Sequence, residues 1–142
     1  MIIAELRNFK QIYSVELSEF YFKRAKKLFK SQKKVDVLLG DSTLVLKELV
    51  PTLKSKTLFW LDAHYSGGNT AKGDKESPIV EELKTIFSDN LQNHVILIDD
   101  ARCFIGQNDY PTIEELKSIV AKYASNYEII IEDDIIRLFP QN

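Results

Sequence analysis

Leu58-Phe59-Trp60-Leu61-Asp62-Ala63-His64 and Val95-Ile96-Leu97-Ile98-Asp99-Asp100-Ala101-Arg102, the two apolar runs between Thr57 and Arg102, decide the fold class. Each run is short, continuous and flanked by polar residues, the pattern of a strand buried on both faces of a parallel sheet. A polar loop and one amphipathic segment separate them. In an open α/β sheet, ligands sit beyond the carboxyl ends of the strands, and those ends carry Asp62, Asp99 and Asp100. The candidate site is therefore placed there.

Outward from this pair, the same pattern repeats. Ile12 to Leu17 reads as a strand followed by Ser18, an N-cap for a helix whose predicted buried stripe is Tyr21, Ala25, Leu28 and Phe29. Lys23 to Lys34 cover the outer face and last turn of that helix, where they complement its dipole. Val35 to Leu39 is a strand ending in Gly40-Asp41-Ser42, and Leu44 to Val50 supply a helix that Pro51 helps to stop. Ser77-Pro78 opens another helix with Ile79, Val80, Leu83, Ile86 and Phe87 on its apolar face. Thr112 and Glu115 have capping-box spacing ahead of a further helix. Tyr127 to Ile131 and Ile135 to Phe139 form a closing hairpin around Glu132-Asp133-Asp134, and Ile2, Ile3, Leu6 and Phe9 place a helix at the start. Alternating strands and helices predict an α/β fold, a doubly wound and mainly parallel sheet with a C-terminal antiparallel hairpin.

The bulk numbers narrow the partners. At 142 residues, positions 1–142 form a single domain. A net charge of −2 gives no long-range attraction to nucleic acid or to anionic membranes, so a small-molecule substrate is expected. Cys103 is alone, which rules out an internal disulfide and a multi-cysteine zinc site and fits a reducing compartment. No apolar run approaches the roughly 20 residues needed to span a bilayer, and no signal-peptide pattern opens the chain. Cytoplasmic placement is the expectation.

The strand-end acids carry the candidate chemistry. Glu16 is placed either to accept hydrogen bonds from two ribose hydroxyls or to sit as a surface acid favoured by the following helix dipole. Asp41 and Ser42 are placed either to accept from an exocyclic amine of a base or simply to cap a helix. If Asp62, Asp99 and Asp100 converge to about 5 Å, each like-charge pair costs about 3 kcal/mol at an effective dielectric near 20. A cation, a proton or an arginine such as Arg102 must relieve that repulsion. Three oxygen ligands without a thiolate suit a hard ion, Mg²⁺ or Ca²⁺. His64, two residues after Asp62, is placed either to face the same crevice as a proton acceptor near neutral pH or to sit as a simple loop histidine, whereas His94, at the start of its strand, falls at the opposite sheet edge. The glycine-containing loop Ser66 to Lys75 has Asp74 where a phosphate-binding loop has lysine, so it suits a substrate lid rather than a triphosphate cradle.

Val15-Glu16-Leu17-Ser18, Leu39-Gly40-Asp41-Ser42, Leu61-Asp62-Ala63-His64 and Ile98-Asp99-Asp100 resemble the successive strand ends of class I S-adenosylmethionine-dependent methyltransferases, with a Rossmann-like sheet. The pairing of Asp62 with Asp99-Asp100 resembles the metal-dependent O-methyltransferases of the catechol and macrocin types. The resemblance implies S-adenosylmethionine as cofactor, a ribose contact for Glu16, an adenine contact for Asp41 or Ser42, and metal ligation by Asp62, Asp99 and Asp100. It implies methyl transfer from sulfonium to a substrate oxygen, with a cation as Lewis acid and template. Two departures stand out. Tyr65 occupies the position of the catechol-type lysine base, leaving His64 as the candidate, and the family's first strand with its glycine-rich loop is missing.

That strand would lie between those ending in Glu16 and Asp62. A one-strand gap separates neighbours by about 9.6 Å, too far for hydrogen bonds. The sheet is thus expected to close up, to borrow a strand as in a homodimer built through an exposed edge, or to leave edges open, and cofactor binding is expected to be impaired if the chain is the whole protein. Two other functions fit parts of the pattern. An NAD-dependent oxidoreductase would also place an acid like Glu16 on a ribose, and a catalytically silent interaction module would use the open edges.

Overall fold

The computed structural model describes residues 7–62, 77–89 and 93–141. Six strands alternate with four helices in the described residues: β1 (Ile12–Glu16), α1 (Glu19–Leu28), β2 (Val35–Leu39), α2 (Ser42–Leu49), β3 (Leu58–Leu61), α3 (Ile79–Phe87), β4 (Val95–Ile98), α4 (Ile113–Tyr123), β5 (Tyr127–Glu132) and β6 (Ile135–Pro140). The fold is mixed α/β, as the alternation predicts. The opening helix lies mostly outside the described residues, and Arg7 to Lys10 are turn and bend.

The strands fall into two sheets. β1 and β2 pair in parallel, and a separate four-stranded sheet has the order β3-β4-β6-β5. β3 runs parallel to β4, and β6 lies antiparallel between β4 and β5, so β6 alone runs against the other strands of its sheet. Among the described residues, β1, β2, β3 and β5 are the edge strands of their sheets, each with one unpaired edge. Asp133 and Asp134, at φ 53° and 61°, make the two-residue turn between β5 and β6. Two left-handed residues match the right-handed twist of a hairpin, and aspartate tolerates that conformation.

The core belongs to the larger sheet. Phe59 and Leu61 of β3, Ile96 and Ile98 of β4, and Ile136 and Leu138 of β6 are buried against Leu83, Ile86 and Phe87 of α3 and Leu116 and Val120 of α4. Spacings of three and four residues put those helix positions on one face. Helix α2 contributes Leu46 and packs on both α3 and β1, so it joins the two sheets. No described residue of β1, α1 or β2 belongs to that core.

Helix α1 departs from its predicted stripe. Ser18 is the N-cap, as read from the sequence, yet its side chain makes no capping bond; the Glu16 carboxylate instead accepts the Ser18 N–H at 2.9 Å. Phe22, Ala25 and Phe29 are half-buried, whereas Tyr21 and Leu28 face solvent. Phe20 is 63% exposed and Leu28 64%. A two-stranded sheet is too narrow to cover the full apolar stripe of a helix. No described helix is long and apolar enough to cross a membrane.

Because little apolar surface is buried around β1, α1 and β2, their amides are expected to exchange with deuterium well before those of β4 and β6. Equal protection across both sheets, measured by mass spectrometry, would contradict this. Leu83→Ala should cost about 2–5 kcal/mol in urea unfolding. Leu28→Ala should stay within about 0.5 kcal/mol.

Candidate functional site

Parallel pairing of β3 with β4 aligns Leu61 with Ile98, which brings the next residues, Asp62 and Asp99, to a common edge. The Asp99 N–H donates to the Leu61 carbonyl at 3.0 Å, extending the ladder by one step before the chain turns. Asp100 follows in the left-handed region at φ 59° and is buried. Asp62, Asp99 and Asp100 line one cavity together with Ser77 and Tyr110, with Leu61, Ile79 and Ile98 as its apolar wall. Its volume of about 10 Å³ has room for roughly one water molecule. A nucleoside would have to lie outside it.

Arg102 answers the charge of this edge. Its Nη2 lies 2.7 Å from Asp100 Oδ1, and its Nη1 pairs with Asp134 in the hairpin turn. The Arg102 and Ala101 N–H groups donate to the Asp134 carboxylate and carbonyl, each at 2.8 Å. The end of β4 is thereby tied to the start of β6. These bonds, led by the Arg102 N–H, hold the Asp134 carboxyl below its usual range. Asp99 Oδ1 accepts the Asp100 N–H at 2.9 Å.

The expected Mg²⁺ or Ca²⁺ centre at Asp62, Asp99 and Asp100 does not fit this arrangement. Among the described residues, no three carboxylate, thiol or imidazole groups are spaced to hold an ion. With Arg102 on Asp100, the repulsion is relieved by an arginine, one of the routes open from the sequence.

Tyr110 and Ser77 are site residues that sequence reading missed. Tyr110 follows a loop with no periodicity, and Ser77 reads as a helix cap, although Pro78 holds that position and Ser77 is buried. Burial, then the charges of Cys103, Asp100 and Asp62, push the Tyr110 phenol up to about 12, while its hydrogen bond with Ser77 opposes the shift. Tyr110 is thus a neutral hydrogen-bonding group at neutral pH.

The other predicted contacts lie on the smaller sheet. The Gly40 N–H donates to the Glu16 carbonyl at 3.1 Å, so the ends of β1 and β2 meet. Gly40 has φ 151°, and a Cβ there would approach Val45 Cγ2 at 3.0 Å, so the tight strand-to-helix turn calls for glycine. Asp41 caps α2 by accepting the Thr43 N–H at 2.8 Å, and Glu16 accepts the N–H of Ser18, the N-cap of α1. Ser42 is the first residue of α2, and burial raises the Glu82 carboxyl above its usual range, a shift that the neighbouring Ser42 hydroxyl opposes and Asp41 aids. Glu82 was also missed, although its place between Ile79 and Ile86, three and four residues away, is a signal of burial. His64 and the loop from Ser66 to Lys75 lie outside the described residues. His94 sits at the far end of β4, buried, with Nε2 2.7 Å from Asp89 Oδ2 and Nδ1 accepting the Thr57 N–H at 3.2 Å.

No protein-family model matches the chain, and no curated protein matches its sequence. Among solved structures, the chain is similar to a proposed caffeoyl-CoA O-methyltransferase from Staphylococcus aureus, with a TM-score of 0.50 and 11% identity. The match covers 93% of this chain and 65% of that one. The chain shares the fold of that protein. At that identity the likeness establishes the fold and nothing finer.

The shifted phenol gives a pH test. Folded Tyr110 keeps its proton to about 12, whereas an unfolded tyrosine releases it near 10. Its contribution is complete below about pH 10 and is lost as pH rises through about 12. Tyr110→Phe should flatten that decline in denaturant titrations. An unaltered slope would show that Tyr110 is not held as described.

Proposed function

We propose that the chain is the cofactor and reaction half of an S-adenosylmethionine-dependent methyltransferase that methylates an oxygen of a small molecule. The observation that carries this reading is the common edge at the carboxyl ends of β3 and β4, where Asp62, Asp99 and Asp100 line one cavity. The methyltransferase-like fold supports it. Glu16 at the end of β1 would hold the ribose, and Asp41 or Ser42 at the end of β2 the adenine. Each acid has acceptor capacity beyond the donors it already takes, the Ser18 N–H for Glu16 and the Thr43 N–H and hydroxyl for Asp41, because an ionised carboxylate offers about four lone-pair sites.

Bound S-adenosylmethionine supplies an electrophilic methyl whose C–S electron pair leaves with sulfur as the acceptor oxygen forms the new C–O bond. The chain's residues align that oxygen and take up its proton. His64 is the proposed acceptor of the proton. Tyr110, neutral at working pH, would donate a hydrogen bond at the cavity rather than act as a base. No step is routed through a cation, because Asp100 is already paired with Arg102.

The reading includes a further parallel strand between β1 and β3, from a longer polypeptide or another copy of the chain. The chain spans 65% of its structural neighbour, and both edges are unpaired among the described residues. Those open edges also favour a second reading, a catalytically silent interaction module that pairs through them. The lone Cys103 keeps a cytoplasmic setting as part of the proposal.

Calorimetric titration tests the reading. S-adenosylmethionine should bind saturably and NAD should not, and Glu16→Gln should weaken binding about tenfold while retaining an acceptor for the Ser18 N–H. Failure to bind the sulfonium cofactor, with edge-mediated association seen in sedimentation, would replace the enzyme by the interaction module.

A further inference from the structure

Helix α1 presents apolar side chains to solvent on a face that is also cationic. Its inward positions are Phe22, Ala25 and the C-cap Phe29, spaced three and four residues apart, and even these are only half-buried. At about 3.6 residues per turn, the opposite face carries Phe20, Arg24, Lys27 and Leu28. Phe20 and Leu28 are more exposed than any other large apolar side chain among the described residues. Phe20 meets the Tyr21 ring edge-on at 5.3 Å between centroids, and the Arg24 guanidinium lies over the Phe20 ring at 5.6 Å. Phe20, Arg24 and Leu28, four residues apart, therefore form one outward row.

The charge around this row is one-sided. Residues 19–34 hold seven of the chain's 19 basic residues, and Glu19 is their one acid. Glu19 pairs with Lys23 at 2.7 Å, and Lys34 donates to the Phe9 carbonyl at 2.9 Å. The other five, Arg24, Lys26, Lys27, Lys30 and Lys33, are exposed. The net charge of −2 thus averages a cationic helix with an acidic remainder, so the argument from whole-chain charge against anionic surfaces does not hold for α1.

The combination selects the partner. A nucleic-acid backbone would engage the cations but has no use for Leu28, which offers neither a π face nor a hydrogen-bonding group. A second copy related by a two-fold axis would set this cationic face against itself. An anionic lipid surface accepts both kinds of side chain: the acyl boundary takes the apolar ones, and long basic stems keep their charges at the level of the headgroups.

We propose that the outer face of α1 docks the protein on an anionic lipid surface, with Phe20 and Leu28 at the acyl boundary and Arg24 and Lys27 among the headgroups. The contact is peripheral, since no described helix is long and apolar enough to cross a membrane. It is independent of the methyltransferase reading, because none of these four residues belongs to the strand-end site.

Co-sedimentation with sucrose-loaded vesicles tests it. The chain should partition onto vesicles of equal parts phosphatidylcholine and phosphatidylserine at least about tenfold more strongly than onto phosphatidylcholine alone. Phe20→Ala with Leu28→Ala keeps every cation and should weaken that partition by about tenfold, whereas Arg24→Gln with Lys27→Gln should weaken it similarly while keeping the apolar pair. All four side chains are exposed and lie outside the core, so both variants should fold, as circular dichroism would verify. No partition of the unaltered chain, or equal partition onto both vesicles, overturns the proposal. Undiminished partition of the Phe20→Ala, Leu28→Ala variant overturns it in favour of a polyanion contact made by the basic residues alone. Self-association in vesicle-free sedimentation that the same variant abolishes overturns it in favour of a second copy.

Discussion

Strand β4 is hydrogen-bonded to β3 on one side and to β6 on the other, and the larger half of the molecule depends on that double pairing. Ile96 and Ile98 are buried because both edges are occupied and helices cover the sheet. Parallel strands in register must also end together. The residues after Leu61 and Ile98 are carboxylates, so the geometry that completes the core sets Asp62 beside Asp99. Burial of the strands and assembly of the site are one event.

Gathering like charges at a sheet edge is unfavourable unless something opposes it. Arg102 does so here by pairing with Asp100 and with Asp134 of the hairpin turn. The same guanidinium joins the β4 end to the antiparallel pair that closes the sheet. Electrostatic relief and topology are coupled through one side chain. The exposed location of Arg102 limits what each pair adds to stability, and its role is to set the geometry of the acids rather than to hold the fold.

The smaller sheet obeys a different balance. β1 and β2 satisfy each other's hydrogen bonds on one edge but bury little apolar surface, and α1 has no fully buried residue. Its connection to the core runs through α2, which packs against α3 and carries Leu46 into the main cluster. Glu82 of α3 is buried, with its Oε2 unpartnered among the described residues.

Local pattern alone determined the elements and the places of the acids. Continuous apolar runs, caps at Ser18 and Thr112, glycine at position 40 and the paired aspartates of the last turn act over a few residues, so they are legible along the chain. The placement of Asp62, Asp99 and Asp100 at one edge followed as well, because strand ends are local and parallel pairing is a narrow choice. Only the tertiary structure decided that Arg102 pairs with Asp100, that Tyr110 and Ser77 close the cavity, and that Glu82 is buried. It also decided that the exposed side of α1 includes Tyr21 and Leu28, since amphipathic spacing marks a stripe without showing how wide a surface will cover it. Those outcomes join residues far apart in the chain, and their energies depend on burial and on neighbouring charge, quantities that no short window of sequence contains.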